Sequence, residues 1–280
     1  MLTKAPRMNA QPMMDSYIHG YKGQENERLR DQAGALVELL HNDTTYPADS
    51  RVLEVGCGVG AQTLILARRS PGAHFTSTDI SAESIKEAKH KAAAAGLTNV
   101  KFEQADIFDL PYKAESFDHV FVCFVLEHLA RPNDALAIFK QVLRRGGTIT
   151  VIEGDHGSTS FYPESVAAHS AIESLIKVQE QAGGNALIGR QLYPLMREAG
   201  FHDVRVFPRL VYVDGSRPEL ADAFTRKTFT AMVEGVRGSA ITAGLIEPQR
   251  FDEGVKALYR AAEPDGVFCY TFFKAISTKS

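Results

Sequence analysis

The chain has 280 residues, 44% of them hydrophobic and 23% charged, a balance that excludes disordered, collagen-like and disulfide-stapled architectures. Its length suits one large domain or two small ones, with a sizeable core in either case. With 31 Lys and Arg against 34 Asp and Glu the net charge is -3, so the attraction that dominates nucleic-acid binding has no source here.

From Arg51 onward, short β-branched or aromatic runs alternate with helical patterns, the rhythm of a parallel sheet with crossover helices. Arg51 to Cys57 is predicted as a first strand, followed by a Gly-rich turn and a helix that ends near Ser70-Pro71-Gly72. His74 to Asp79 is a second strand. Ser81 then caps a helix carrying Ile85, Ala88, Ala92 and Ala95 on one face until Gly96 stops it. Val100 to Asp106 is a third strand, and the near-continuous apolar run Phe117 to Phe124 reads as a fourth, covered on both faces.

Pro132 opens a helix with Ala135, Leu136, Phe139, Val142 and Leu143 on one face. Arg144 and Arg145 are expected in its last turn, ahead of Gly146-Gly147. Thr148 to Glu153 is a fifth strand. Beyond it come helical stretches at Tyr162 to Gln181 and Gln191 to Glu198, strands at Val204 to Val213 and Phe268 to Ile276, and a helical segment from Pro218 to Ala262.

The longest apolar run, Val120 to Leu126, falls far short of the roughly 20 residues that span a bilayer, so no membrane span is expected. The N-terminus carries no secretory pattern, and Cys57, Cys123 and Cys269 form no CxxC pair. Both features favour a cytoplasmic protein without a structural zinc.

The chemistry concentrates where the first strand becomes a helix, at Glu54-Val-Gly56-Cys57-Gly58-Val-Gly60. Glycines there let backbone approach a ligand, and a helix N-terminus offers unpaired N–H groups. Asp79, nineteen residues after Gly60 at the end of the second strand, can accept hydrogen bonds from both hydroxyls of a ribose. Gly56-x-Gly58-x-x-Ala61 also satisfies the dinucleotide pattern, which makes a nicotinamide-dependent oxidoreductase the alternative; a module that binds cofactor without turnover is another. Against a dinucleotide stand Glu54, placed to receive a cationic amino group, and Asp106, placed to accept a bond from an adenine amine. The chain also closes on a strand, with no second mononucleotide-binding half.

On these residues the sequence resembles the class I S-adenosylmethionine-dependent methyltransferases, in particular the small-molecule branch that includes ubiquinone and menaquinone biosynthesis enzymes. The likeness rests on Val52 to Gly60, Asp79-Ile80, Gln104 to Pro111, Phe117-Asp118 with Leu126-Glu127-His128-Leu129, and Leu143 to Gly147. It implies an α/β, Rossmann-like, seven-stranded, mostly parallel sheet with helices on both faces and an antiparallel last strand. Residues 1–48 would form an N-terminal helical lid, and residues 49–280 the methyltransferase domain with helical cap insertions at about 156–190 and 215–265. It also implies S-adenosyl-L-methionine as cofactor. Glu54 and the turn of Gly56, Cys57, Gly58 and Gly60 would hold its methionine part, Asp79 the ribose, Ile80, Asp106 and Ile107 the adenine, and Cys123 and Phe124 the sulfonium region. Tyr17, Arg28 and Gln32 resemble an N-terminal segment that, in a subgroup of these enzymes, folds over the cofactor and substrate.

Methyl transfer from a sulfonium needs alignment, exclusion of water and management of one proton. His128 is the candidate general base, just past the fourth strand, and Asp155 and His156 are candidates to face the acceptor at the same sheet edge. No metal-ligand spacing is present. Phe224, Phe229, Met232, Leu245 and Phe251 in the cap suit a small apolar or aromatic acceptor or else pack the cap onto the core. The oligomeric state stays open.

Overall fold

The computed structural model describes residues 36–280. A short helix α1 at residues 36–41 precedes a seven-stranded sheet of order β3-β2-β1-β4-β5-β7-β6. Its strands are β1 (Arg51–Val55), β2 (His74–Asp79), β3 (Val100–Gln104), β4 (Phe117–Cys123), β5 (Leu143–Tyr162), β6 (His202–Asp214) and β7 (Val267–Thr278). The first five run parallel, and β7 is antiparallel to both β5 and β6. The expected mostly parallel sheet with an antiparallel last strand is the one observed.

Alternation along the strands divides the core into two layers, because successive side chains point to opposite faces. Phe121 and Cys123 of β4 and Ile152 of β5 join one layer, with α2 (Ala61–Arg69) and the cap helices. Val120, Val122, Ile149 and Val151 join the other. That second layer is covered by α4 (Pro132–Val142) and α6 (Leu192–Glu198). Between β2 and β3, α3 (Ala82–Ala94) buries Ile85, Ala88 and Ala92, and the Ser81 hydroxyl accepts the Ser84 N–H as its cap. Ala95 is only half-buried, since it lies past the helix end.

Two boundaries differ from expectation for the same reason. Helix α4 stops at Val142, and Leu143 already pairs with Phe117, so Arg144 and Arg145 lie in β5 rather than in a helical last turn. There the Arg144 guanidinium reaches the Asp118 carboxylate at 2.9 Å. At its other end β5 continues past Glu153 to Tyr162, because β7 is long enough to keep pairing with it, Ser160 opposite Cys269 and Tyr162 opposite Val267. The first insertion therefore begins after Tyr162, not at 156.

That insertion supplies α5 (Val166–Gln181). The second supplies α7 (Pro218–Leu220), a π-helical stretch Ala221–Thr230, α8 (Ala231–Gly235), α9 (Arg237–Thr242) and α10 (Pro248–Arg260). Phe224, Phe229 and Phe251 are fully buried, and Met232 is buried beside them, in the layer shared with Phe268, Tyr270 and Phe272 of β7. These side chains, with the half-buried Leu245, belong to the core that joins cap and sheet. A buried lysine ties α1 to the same face: Lys274 Nζ donates to Leu40 O at 3.4 Å and to Asp43 Oδ1 and Thr44 Oγ1 at 2.6 Å each.

The crossing of α10 over α5 depends on Gly254, where an added Cβ would stand 2.4 Å from the Ala167 carbonyl oxygen. Helix propensity favours Ala over Gly by about 1 kcal/mol, but overpacking costs about 1–3 kcal/mol. Gly254→Ala is expected to destabilise the protein in urea unfolding. Gly235→Ala, whose Cβ meets nothing within 4 Å, should gain about 0.5 kcal/mol.

Candidate active site at the carboxyl edge of the sheet

Strands β1, β2, β4 and β5 all deliver their carboxyl ends to one edge, and the site is assembled from the turns just beyond them. After β1 the chain turns through Gly56, Gly58 and Gly60 with φ of 70°, 50° and 78°, a region that only glycine adopts without strain. A Cβ on Gly56 would stand 2.5 Å from the Val125 side chain, whereas one on Gly58 would meet nothing within 4 Å. The turn thus packs tightly against the segment after β4 and is open at its tip.

Asp79 holds the turn from β2. Its Oδ2 accepts the Gly58 N–H at 2.8 Å and its Oδ1 accepts the Ser81 N–H at 2.9 Å. Burial raises its pKa, and those backbone bonds oppose the rise. Glu54, 2% exposed near the end of β1, directs Oε2 at the hydroxyls of Thr63 and Ser77, both at 2.6 Å. Burial pushes its carboxyl from 4.5 up to about 7, although both hydroxyl bonds favour the ionised form. Ile80 and Ile107 are half-buried at this edge. Asp106 is exposed and caps a short 3-10 turn through Phe108 N–H at 2.9 Å.

Past β4, Phe124 has φ of 58° and donates its N–H to Ile152 O at 2.9 Å, so the chain leaves the sheet sharply. Its ring lies 5.3 Å from that of Phe272. Cys123 is buried beneath. The next residues form a 3-10 turn, Leu126–His128, in which His128 is half-buried with Nε2 3.7 Å from Glu127 Oε1.

Asp155 and His156 are both buried, and each makes a hydrogen bond through a side-chain polar atom. Asp155 forms a bidentate pair with Arg190, at 2.6 and 2.7 Å, and also accepts the Gly157 N–H. A buried carboxylate needs such a partner. His156 Nδ1 lies 2.7 Å from the Tyr270 hydroxyl, with its ring against Phe229. The structure therefore brings Glu54, the glycine turn, Asp79 and the segment after β4 together, and turns Asp155 toward the insertion. Tyr17, Arg28 and Gln32 lie outside the described residues. Among the described residues no group of His, Cys, Asp or Glu is arranged to hold a metal, and no helix is long and apolar enough to cross a membrane.

Sequence reasoning missed Thr63 and Ser77, which orient Glu54, and Glu153, which bonds to the loop after β4. An acid closing the apolar run Ile149 to Ile152 was the available signal for Glu153. For the two hydroxyls no spacing rule exists, because a helix and a neighbouring strand bring them in.

This strand order and edge define a class I methyltransferase-type α/β domain. Residues 47–200, more than half of the chain, match the family model described as "Methyltransferase domain", and the chain belongs to that family as a class I S-adenosylmethionine-dependent methyltransferase with S-adenosylmethionine as its cofactor. It is 30% identical over 165 residues, 49% of this chain and 74% of the relative, to demethylmenaquinone methyltransferase from Thermus thermophilus. It is also 30% identical over 134 residues, 48% of this chain and 49% of the relative, to 27-O-demethylrifamycin SV methyltransferase from Amycolatopsis mediterranei. The chain spans about half the length of several further curated relatives. Phosphoethanolamine N-methyltransferase 2 from Haemonchus contortus shares the fold, with a TM-score of 0.61 and 14% identity over 97% of this chain and 61% of that one. The nicotinamide-dependent alternative gains no support from these likenesses.

The Asp155–Arg190 pair has an asymmetric consequence. Arg190→Leu strands a buried carboxylate and should cost about 3 kcal/mol, while Asp155→Asn leaves a half-exposed guanidinium to water and should cost about 1 kcal/mol. Urea unfolding of the two variants measures the difference.

Proposed function

We propose that this protein transfers the methyl group of S-adenosylmethionine to an oxygen, nitrogen or carbon of a small acceptor molecule. One observation carries the residue assignment: Asp79 clamps the glycine turn through Gly58 N–H at 2.8 Å, beside the buried Glu54. The residues fit the cofactor. Each Asp79 oxygen spends one lone pair on a backbone N–H, leaving acceptor capacity for two ribose hydroxyls. The tip of the turn at Gly58 gives onto open space.

In this reading Glu54 receives the ammonium of the methionine part, and Gly56, Cys57, Gly58 and Gly60 present backbone to it. Ile80 and Ile107 flank the adenine, with Asp106 at its edge. Cys123 and Phe124 border the sulfonium, and Tyr17, Arg28 and Gln32 close over the site. When bound, the cofactor supplies an electrophilic methyl group. The chain's own residues align the acceptor, exclude water and take one proton. His128, on the segment after β4, is the proposed base for a hydroxyl, protonated amine or acidic carbon. Asp155 and His156, engaged with Arg190 and Tyr270, shape the acceptor side. A small apolar or aromatic acceptor is supported by the half-buried Phe124 at the mouth of β4. The cysteines Cys57, Cys123 and Cys269 carry no disulfide, which supports a cytoplasmic setting.

Calorimetry with S-adenosylhomocysteine tests the assignment: the wild type should bind, and Asp79→Ala should lose at least about tenfold in affinity, roughly one charged hydrogen bond's worth. Unchanged binding in Asp79→Ala would overturn the role of that residue.

Glu54 predicts a pH dependence with a definite sign. With its carboxyl pushed up to about 7, the folded free protein holds a proton there that the cationic ammonium must displace. Affinity for S-adenosylhomocysteine should therefore weaken as pH falls below about 7, by up to about tenfold per unit. Glu54→Gln should flatten that slope.

His128→Ala is expected to slow transfer by about a hundredfold or more with affinity for S-adenosylhomocysteine unchanged. Single-turnover kinetics on an acceptor found by mass-spectrometric screening of phenols, amines and acidic carbon compounds reads this. An equal loss in affinity would make His128 a cofactor ligand instead.

A further inference from the structure

Glu153 is fully buried at the end of the apolar part of β5. Its Oε1 accepts the N–H groups of both Val125, at 3.0 Å, and Leu126, at 2.8 Å, from the segment after β4. That segment begins with Phe124 in the left-handed region, so without a partner on β5 two consecutive N–H groups would be buried and unsatisfied at a sharp turn. The grip reaches the glycine turn through Val125, whose side chain occupies the space beside Gly56. It reaches the base candidate through Leu126 and the turn that ends at His128.

A second set of bonds fixes the same segment from the cap. The Glu127 carbonyl accepts the Gln179 side-chain amide of α5 at 3.1 Å and the Asn185 N–H at 2.7 Å. The Glu127 carboxylate accepts from Gln179 at 3.3 Å. Val125 to Glu127 is thus held from β5 on one side and from the first insertion on the other.

Resting on the cofactor reading above, we propose that Glu153 is a positioning residue for methyl transfer: through its two bonds to Val125 and Leu126 it sets the segment after β4 against the glycine turn that holds the cofactor. It acts through Val125 and His128 and touches neither cofactor nor acceptor. The bonds need an acceptor oxygen at the reach of a glutamate side chain and need no negative charge. Burial, followed by the neighbouring Glu127, raises the Glu153 carboxyl well above the usual carboxylate range, and the backbone N–H bonds oppose that rise. A glutamine presents the same carbonyl oxygen at the same reach. An aspartate falls one methylene short, and a methionine fills the volume with no acceptor.

The test is titration calorimetry of S-adenosylhomocysteine into wild type, Glu153→Gln, Glu153→Asp and Glu153→Met, with a urea unfolding curve for each. Glu153→Gln is expected to bind within about threefold of wild type, and the Asp and Met variants at least about tenfold more weakly, the scale of one or two lost hydrogen bonds. Should the Met variant fail to fold, the Asp variant decides alone. Wild-type affinity in Glu153→Asp, or an equal loss in Glu153→Gln and Glu153→Asp, overturns the proposal, the second because it makes charge the property that matters. Failure of the wild type to bind overturns the cofactor reading and is distinguishable from either.

Discussion

Parallel strands impose one constraint on this molecule: they all end at the same edge, and the turns leaving that edge present backbone N–H groups with no ladder partner. Two acids meet that demand, and a third accepts side-chain hydroxyls instead. Asp79 takes N–H groups from the glycine turn and from the start of α3, and Glu153 takes two from the segment after β4. Glu54 takes hydroxyls from α2 and β2. An edge rich in donors stabilises acids there.

Burial is what distinguishes the roles of these acids. Glu153 is fully buried, with burial raising its carboxyl and the backbone N–H groups it accepts opposing the rise. Asp79 keeps the backbone donors of Gly58 and Ser81 beside the open tip of the turn. Glu54 lies between, its carboxyl pushed up to about 7 by burial while the Ser77 and Thr63 hydroxyls favour the ionised form. Three carboxyl groups of similar intrinsic acidity are thus separated by solvent access and by the donors that each strand end supplies.

The opposite half of the sheet is built by length rather than charge. Strands β5, β7 and β6 are longer than the others, and the extra pairing lifts a ladder of Phe268, Tyr270 and Phe272 above the edge. The insertions cover that ladder: Phe224 lies 5.7 Å from Tyr270, and Phe229 lies 5.0 Å from Phe268, ring to ring. The cap is continuous with the core, and the aromatic residues expected to suit an acceptor serve to attach it. Gln179 carries the attachment on to Glu127, so the cap and the segment bearing His128 are mechanically one unit.

The antiparallel last strand came from the family resemblance, while the sequence by itself determined the strand and helix rhythm, the glycine turn and the acid at the end of β2. These are local signals: periodicity, capping residues and left-handed glycines act within a few residues of one another. The sequence placed Asp155 and His156 after the fifth strand, whereas β5 runs on to Tyr162 and carries both within it. Only the tertiary structure decided what each acid does there. The helix at Val142 ends early because Leu143 finds a ladder partner in Phe117, and Asp155 turns away because Arg190, thirty-five residues further on, arrives beside it. Glu54 depends on hydroxyls nine and twenty-three residues distant. Such partners are set by which strands pair and which helices cover them, and no spacing along the chain encodes that choice.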